Sequence, residues 1–349
     1  MQRLVWVALA GAAALAGQGQ PSPQELIDAG HYKRARALVE SRNTKDADTL
    51  YFMATLKQMW HDLDAAEKYA EQAVAANPKD ARCHYRLSDI SGERAQDAGP
   101  LKQISLGRKF KKECDTALSL DPNHTGALFN LMQYYLHAPG LIGGDKSKAA
   151  GVADQIMKLD PRKGYQAKLE IARVEKQTKA VEELNQMVLK LQPESFEGHL
   201  TLANYLAGPQ LKKYAEAEEH ARAAIAIYPD RAGGHGALAV MLVRQNKLGE
   251  LDPALAQAEK AVPDNLHPYF RAANNLLDLK VDLPRAERYF RKYLSQEPEP
   301  VAPTHSQTHW RLGLVLELEG RKQDAVVEWQ AAVRLDGNSP AKQELKRAK

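Results

Sequence analysis

The clearest pattern in the sequence is the stretch Ser306–Ser339, SQTHWRLGLVLELEGRKQDAVVEWQAAVRLDGNS. Apolar and small residues recur in each of its halves every three or four positions, the spacing of an amphipathic helix. These positions are Leu312, Gly313, Leu316, Ala325, Trp329, Ala332 and Leu335. A turn is predicted at Glu319-Gly320-Arg321. Neither short helix can bury its apolar face alone, so the stretch predicts a helical hairpin that packs against further hairpins.

The spacing resembles the tetratricopeptide repeat (TPR), whose period is about 34 residues. The match consists of Leu312-Gly313, Leu316, and Ala325 followed four residues later by Trp329, while His309 occupies the leading Trp position of the pattern. Small residues in both helices let them approach to about 8 to 10 Å. The resemblance implies an all-α, right-handed solenoid in which the first helices line a concave face that holds extended peptides or partner helices.

Prolines recur upstream at a similar period. They are Pro78, Pro122, Pro161, Pro193, Pro229, Pro263 and Pro298, at intervals of 44, 39, 32, 36, 34 and 35 residues. A proline just past a helix stops it, because the ring has no amide hydrogen and clashes with the preceding turn. Alanines stand twelve residues before four of these prolines: Ala66, Ala149, Ala217 and Ala286. We therefore predict about eight hairpins with capping helices at both ends.

These repeats predict a single TPR-like superhelical domain over residues 23–349. Within it we expect an N-terminal capping hairpin at 23–46, repeats at about 47–339 and a C-terminal capping helix at 339–349. The chain has 349 residues, of which 44% are hydrophobic and 26% charged, a composition typical of folded proteins. Its formal net charge of +4 is too small to indicate a nucleic-acid partner.

The N-terminus has the features of a secretory signal peptide. Arg3 precedes an apolar run, Leu4–Leu15, and Ala14-Leu15-Ala16 has the small-x-small form of a cleavage site. The run is shorter than the ~20 residues that span a bilayer. We predict a signal peptide at 1–16, cleaved after Ala16, and a flexible leader at 17–22; an uncleaved anchor and an unrelated apolar start are the alternatives. The mature chain is then periplasmic or secreted, with no transmembrane segment.

The second predicted repeat contains both cysteines of the chain, Cys83 in its first helix and Cys114 in its second. Antiparallel packing brings them near the same end of the hairpin, so a disulfide could form in an exported protein. The alternative is that both are small apolar fillers of the core. The same repeat carries a run of basic residues from Lys102 to Lys112, which is either a solvated face or a patch for an acidic partner or an anionic membrane.

Two stretches depart from the regular repeat. The second repeat is about ten residues too long, with the excess between Gly92 and Leu101, so that either its helices or its turn are extended. The third repeat contains a loop, Pro139–Asp145, with three glycines. Gly-Gly followed by Lys invites comparison with a phosphate-binding loop, but the P-loop spacing is absent and no strand precedes it. We predict a specialised turn, with Asp145 as N-cap of a helix that ends at Leu159.

No catalytic, cofactor or metal site is predicted. Among the eleven histidines, four occupy the same place in their repeats, which indicates a structural role; they are His84, His199, His235 and His309. His305 and His309 have i, i+4 spacing, but neither the glutamate of a zinc protease nor a third ligand accompanies them. The nucleophile and dinucleotide motifs are absent as well.

One stripe on each first helix remains for binding. The predicted groove residues are Tyr51, Thr55, Tyr85, Asp89, Phe129, Gln133, Asn204, Arg271, Asn275 and Trp310. If the TPR geometry holds, Tyr51, Tyr85 and Phe129 form one aromatic row along the concave wall, with polar residues one turn further on. The alternative is that each aromatic packs between repeats.

The function predicted from the sequence is that of a non-enzymatic scaffold or adaptor for a protein or peptide in an exported compartment. The alternative is a module that binds an apolar small molecule or lipid inside the superhelix, which a dry and closed groove would favour. An enzyme is the third reading, and no residue supports it. The identity of the partner and the oligomeric state are not encoded in any pattern found.

Overall fold

The structure, a computed structural model, describes residues 21–191 and 193–348. The predicted signal peptide at 1–16 and residues 17–20 of the leader lie outside the described residues. Within these residues the chain forms nineteen α-helices, one 3₁₀ helix and no β-strand. The helices are α1 (Pro23–Asp28), α2 (Tyr32–Ser41), α3 (Ala47–Met59), α4 (Leu63–Ala76), α5 (Ala81–Gln96), α6 (Pro100–Leu120), α7 (Thr125–His137), the 3₁₀ helix (Gly140–Ile142), α8 (Lys146–Leu159), α9 (Pro161–Val174), α10 (Thr178–Lys190), α11 (Phe196–Leu206), α12 (Tyr214–Ile227), α13 (Ala232–Arg244), α14 (Leu248–Ala261), α15 (His267–Leu279), α16 (Leu283–Leu294), α17 (His305–Leu318), α18 (Lys322–Leu335) and α19 (Ala341–Arg347).

Consecutive helices pair into eight hairpins, from α3 with α4 to α17 with α18. First helices also pack side by side in two runs, from α3 to α9 and from α11 to α17, whereas the contact between the fourth and fifth hairpins is small and runs through α10 and α11. The predicted all-α solenoid of about eight TPR-like hairpins is thus confirmed, and α1, α2 and α19 flank the array. Within the described part of the chain, no helix is long and apolar enough to cross a bilayer.

The hairpin of α17 and α18 shows why small residues are needed. A Cβ atom on Gly313 would lie 2.3 Å from Nε1 of Trp329, and Ala325 is fully buried. The predicted turn is present, with Gly320 at a φ of +81°, in the left-handed region that glycine favours. The two helices therefore approach closely where Gly313 faces Trp329, and the small Ala325 is buried on the same second helix.

Both irregular stretches are well ordered parts of the array. In the second hairpin the excess lies in the helices, because α5 continues to Gln96 and α6 has 21 residues. In the third, the loop folds back on α7: Asp145 N–H donates to the Tyr135 carbonyl at 2.8 Å, and a Cβ on Gly144 would lie 1.7 Å from the Ala138 carbonyl oxygen. Asp145 accepts from two amides of α8, so the predicted specialised turn and N-cap are confirmed.

The apolar core of the described residues is one large cluster in the C-terminal half, from α12 to α19, a small one between α12 and α13, and several smaller clusters in the N-terminal half. Cys83 and Cys114 belong to two different small clusters and are free thiols. Burial raises the pKa of each thiol to about 12. In this structure both cysteines pack as small core residues, each among the apolar contacts of a different pair of helices, and no bond joins them. Their pairing in an oxidising compartment stays a prediction.

The N-terminal hairpin of α1 and α2 contacts three turns in the C-terminal half of the array, which the sequence did not predict. Arg34 binds the Asp264 carboxylate through two nitrogens, with Nε 2.7 Å from Oδ2. Arg36 binds both oxygens of Glu297, at 3.2 and 2.8 Å. We call this set of contacts, made by His31, Lys33, Arg34 and Arg36 with the turns after α12, α14 and α16, the clasp.

Glu299 is the most buried carboxylate of the clasp, with 2% of its surface exposed. Its Oε2 accepts a hydrogen bond from the Lys33 N–H at 3.1 Å, in the first turn of α2, whose own N-cap residue His31 makes no capping bond. A residue from the far end of the chain therefore caps α2. Burial raises the pKa of Glu299 to about 7.

Candidate functional site

A groove of about 1180 Å³ opens on the inner side of the N-terminal half. First helices α5, α7 and α9 form its floor, and the N-terminal turns of α6 and the loop after α7 form its rim. The residues that line it include Gln58, Tyr85, Asp89, Glu93, Ile104, Phe110, Phe129, Asn130, Gln133, Tyr134, Ile142, Lys163, Gln166 and Glu170. We call it the N-terminal groove.

Aromatic rings form the apolar wall of the N-terminal groove. Phe110 and Tyr134 stack with their centroids 6.0 Å apart and their planes at 15°. Gly92 leaves room for this pair, since a Cβ there would lie 2.7 Å from the Phe110 ring. The Tyr134 hydroxyl donates to the Ile142 carbonyl and so fixes the loop of the rim. The apolar wall is thus held in place by both irregular stretches of the sequence.

Carboxylates gather at one end of the groove. Nε2 of Gln58 donates to Asp89 at 2.9 Å and to Glu93 at 3.0 Å. Arg86, which is buried, donates to Gln58 Oε1 at 2.8 Å and to Asp89 at 3.1 Å. This network orients the two carboxylates. The groove's lining includes three carboxylates, Asp89, Glu93 and Glu170, and one lysine, Lys163. Arg86 compensates the charge of Asp89, so the surface keeps a small excess of negative charge.

Four of the predicted groove residues line this groove together: Tyr85, Asp89, Phe129 and Gln133. Tyr85 also packs between repeats, because its ring lies 4.7 Å from that of His124 and a Cβ on Gly126 would lie 2.8 Å from Tyr85. Tyr85 therefore does both: it lines the groove and it packs between repeats. That these four residues bind a partner stays a prediction.

The other predicted residues lie elsewhere. Tyr51 is buried under the guanidinium of Arg86, 5.5 Å from its ring centroid, and Thr55 donates to the Tyr51 carbonyl at 2.9 Å. Tyr51 is thus not available in the predicted aromatic row, because Arg86 of α5, the first helix of the next repeat, covers its ring. Asn204 on α11 is exposed, whereas Arg271, Asn275 and Trp310 lie on α15 and α17, away from the N-terminal groove.

The rim residues of the groove were not predicted from the sequence; they include Ile104, Phe110, Tyr134 and Ile142. They lie on α6, at the end of α7 and in the loop that follows it, outside the stripe of first-helix positions that the repeat pattern selects. A signal was available, since the long second hairpin and the Pro139–Asp145 loop are the two stretches that depart from the repeat. Both departures border the same groove.

The histidines at the recurrent position hold the hairpins together, which confirms their predicted structural role. His84 bonds to Glu113 on the second helix at 2.7 Å and to the Pro78 carbonyl at 3.0 Å. His235 makes the corresponding bond to the Pro229 carbonyl at 2.8 Å. His199 bonds to His220 at 2.8 Å.

His305 and His309 do not share a ligand position, because His305 bonds to the Gln296 carbonyl at 2.9 Å and His309 to Glu328 at 2.6 Å. Among the described residues, no group of three or more His, Cys, Asp or Glu side chains is placed to hold a metal ion. The N-terminal groove is therefore the candidate functional site.

Comparison with protein families gives one partial match. The family model described as "Regulator of microtubule dynamics protein 1-3" matches residues 41–136. These residues run from the end of α2 into α7 and include much of the N-terminal groove, but they are less than half of the chain. No curated protein matches the chain.

Several solved structures are similar at low identity. PilW, a widely conserved type IV pilus biogenesis factor, is 20% identical with a TM-score of 0.44, over 63% of this chain and 97% of PilW. Yeast Tom70 is 12% identical with a TM-score of 0.47, over 94% of this chain and 86% of Tom70. Pseudomonas aeruginosa pilF is 15% identical with a TM-score of 0.39, over 64% and 97%. Similarity at this level says nothing about what this chain binds.

Proposed function

We propose that the protein is a non-enzymatic scaffold that holds a segment of a protein partner in the N-terminal groove. The observation that carries the proposal is the groove itself: 1180 Å³ of space, with apolar rings on one wall and oriented carboxylates at one end. Aromatic anchors combined with a few fixed polar groups are typical of surfaces that bind peptides.

The rim of the groove supports a macromolecular partner. Leu101, in the first turn of α6, is 87% exposed, and Leu141, in the 3₁₀ helix, is 98% exposed. Large apolar side chains this exposed on neighbouring elements are a common feature of interaction sites. A bound chain that crosses the rim would bury both leucines. The partner segment that fits therefore carries apolar side chains for the rings and the rim, and a Lys or Arg for Asp89 and Glu93.

The alternative of an apolar small molecule or lipid is less well supported. The lining of the N-terminal groove is not dry, because it contains amides and carboxylates as well as rings. Among these polar residues are Gln58, Asp89, Gln133 and Gln166. The volume also exceeds the roughly 300 to 1,000 Å³ of small-molecule sites. A peptide, which is elongated and carries both polar and apolar groups, matches this lining better.

We further propose that the scaffold works in a periplasm or outside the cell, on the strength of the predicted signal peptide. If the signal peptide is cleaved after Ala16, the protein purified from its native cells begins at Gly17. Sequencing of its N-terminus tests this, and an intact Met1 would contradict cleavage.

Site-specific photo-cross-linking tests the groove. A photoreactive phenylalanine analogue replaces Ile104 in the groove or, as the control, Val327 on α18, which is 58% exposed. We expect the Ile104 position to cross-link one defined protein in cells and the Val327 position not to do so. Equal labelling from both positions would mean that the groove does not select a partner.

The cross-linked segment is then synthesised as a peptide. Asp89→Asn removes one charge and keeps an acceptor for Gln58, so we expect binding to weaken by roughly 3- to 10-fold. A peptide with its Lys or Arg replaced by Gln should show no further loss with the Asp89→Asn variant, as a double-mutant cycle requires. Asp154→Asn, at an exposed ion pair on α8, is the matched control and should bind as wild type does. Independent losses from the two changes would refute the charge pairing.

A further inference from the structure

The clasp lies between two parts of the array that share no apolar core. Helices α1 and α2 pack in a buried cluster with α3, whereas the large C-terminal cluster contains no residue of either helix. Among the described residues, ion pairs and hydrogen bonds hold the clasp together; one example is the Lys33 ammonium, which donates to the Glu297 carbonyl at 2.6 Å. Salt screens exposed charges, so this connection should weaken as the ionic strength rises, whereas the apolar cores on either side should not.

Closing the clasp also has a cost. Oε1 of Glu299 and Nδ1 of His31 are buried there, and neither has a hydrogen-bond partner among the described residues. Burying a polar atom without a partner destabilises a state by at least as much as one exposed ion pair stabilises it. The arginines that close the clasp stay partly in water, since the side chains of Arg34 and Arg36 are 38% and 32% exposed. The gain and the cost of closure are therefore similar in size, as expected of a contact that opens reversibly.

A second weak connection lies between the fourth and fifth hairpins. We call the contact of α9 and α10 with α11 the joint. None of the described side chains of α10 is fully buried, and the apolar clusters contain no described residue between 175 and 199. The contacts that cross the joint are polar: the Gln186 amide donates to the Tyr205 hydroxyl at 2.6 Å, and Arg162 lies 4.0 Å from Glu197. Helices that share no apolar core can tilt against each other at little cost, because no packed surface is exposed to water.

The described chain thus consists of two arms, α1 to α10 and α11 to α19, which are connected by the joint and by the clasp. We infer that the clasp is a latch, which opens while both arms stay folded and lets them swing apart about the joint. The N-terminal groove opens on the inner side of the first arm. Opening the latch therefore widens the access to this groove and leaves its lining unchanged. The latch depends only on the clasp and the joint, so it can be tested whether or not the groove binds a protein partner.

Distances between pairs of spin labels, measured by double electron–electron resonance, test the latch. The labels are attached to cysteines at exposed positions on α2, on α8, after α16 and on α18, through the substitutions Ala37→Cys, Gly151→Cys, Val301→Cys and Val327→Cys. The pair at 37 and 301 crosses the clasp, and the pair at 151 and 327 crosses the joint. The pairs 37 with 151 and 301 with 327 each lie within one arm. Cys83 and Cys114 are buried, so wild type treated with the label serves as the blank.

Sodium chloride is raised from about 0.02 M to about 1 M, where the Debye length is only about 3 Å. We expect the fraction of long distances across the clasp and across the joint to rise roughly 3- to 10-fold, as the loss of a few exposed ion pairs implies. Distances within each arm should not change. At low salt, Arg34→Ala should lengthen the same two distances, because it removes the contact with Asp264. Arg42→Ala, which breaks a local ion pair with Asp48, should leave all distances unchanged.

Three results would overturn the inference. If the distance across the clasp stays short at high salt and in Arg34→Ala, the clasp is a permanent contact. If it lengthens while the distance across the joint stays the same, only α1 and α2 detach and the arms do not swing. If the distances within an arm lengthen as well, salt loosens the hairpins themselves and no latch is needed to explain the change.

Discussion

At the scale of single residues, the contact between Gly313 and Trp329 shows how tightly the two helices of a hairpin pack. Because a Cβ on Gly313 would lie 2.3 Å from Trp329 Nε1, Gly313→Ala should force α17 and α18 apart. We expect a loss of roughly 1 to 3 kcal/mol in the free energy of unfolding, typical of overpacking. Urea denaturation followed by circular dichroism measures it.

The matched control is Gly151→Ala in the middle of α8, where a Cβ would meet nothing within 4 Å. Alanine favours the helix there by roughly 0.5 to 1 kcal/mol, so this variant should be slightly more stable than wild type. If Gly313→Ala lowers the free energy of unfolding and Gly151→Ala raises it, the difference is due to the contact with Trp329. If both variants are stabilised, the hairpin tolerates a wider separation than its structure indicates.

Single residues were predictable from the sequence where the repeat pattern alone fixes their surroundings. Gly313 and Ala325 at the hairpin contact, and the histidines beside the prolines, are such cases. Tyr51 is not, because Arg86 of the next repeat covers its ring, and one position within a repeat does not determine what the neighbouring repeat contributes. The N-terminal groove was predicted only in part for the same reason. The residues of its floor occupy positions that the repeat pattern selects, and those of its rim do not.

At the scale of helices, most ends are set by local sequence. Asp145 caps α8, Thr304 forms a capping box with Gln307 at the start of α17, and Pro161 begins α9 just after α8 ends. These ends can be predicted because the capping residue lies within four positions of the amide it binds. In α2, by contrast, an N-terminal amide is bound by Glu299. No local rule can identify a cap that comes from the other end of the chain.

This distant cap predicts a dependence of stability on pH. The pKa of Glu299 is raised by burial to about 7, above its value in an unfolded chain, so the folded state holds this proton more tightly. The contribution of Glu299 to stability is complete below about pH 4.5 and is lost as the pH rises to about 7. Glu299→Gln cannot ionise but can still accept from the Lys33 N–H. We expect it to match wild type at pH 4 and to exceed its free energy of unfolding by roughly 1 to 3 kcal/mol at pH 8.

Urea midpoints at pH 4 and pH 8 measure this difference. Burial lowers the pKa of nearby His31, whose contribution is instead lost as the pH falls through about 6.5, but His31 is present in both proteins and cancels in the comparison. Glu297→Gln serves as a control of opposite sign, since hydrogen bonds from Arg36 lower the pKa of Glu297 and its removal should destabilise at pH 8. A Glu299→Gln variant that is less stable at pH 8 would mean that the ionised carboxylate is needed for the clasp.

At the scale of the whole molecule, the clasp joins hairpins that are not neighbours in the array. In a linear solenoid each repeat contacts its neighbours only, and a local change loosens the array locally. Here α2 binds Asp264 and Glu297, more than 200 residues away, so the N-terminal hairpin is in direct contact with the turns that follow α14 and α16. The sequence predicted the hairpins and their number, because they depend on a period. It did not predict closure, which depends on the accumulated rotation between many hairpins.

Closure has a consequence that hydrogen exchange can detect. Arg34→Ala removes the bidentate contact with Asp264, so α2 and the turn between α14 and α15 should both exchange faster, although they are far apart in sequence. Helices α6 to α9, which have no part in the clasp, should keep the exchange rates of wild type. The control is Arg42→Ala, which breaks an ion pair with Asp48 beside the same helix. It should accelerate exchange only near α2 and α3, because its partner is local. If Arg34→Ala likewise affects only α1 to α3, the two ends of the array are not coupled in solution, and the protein behaves as a linear solenoid.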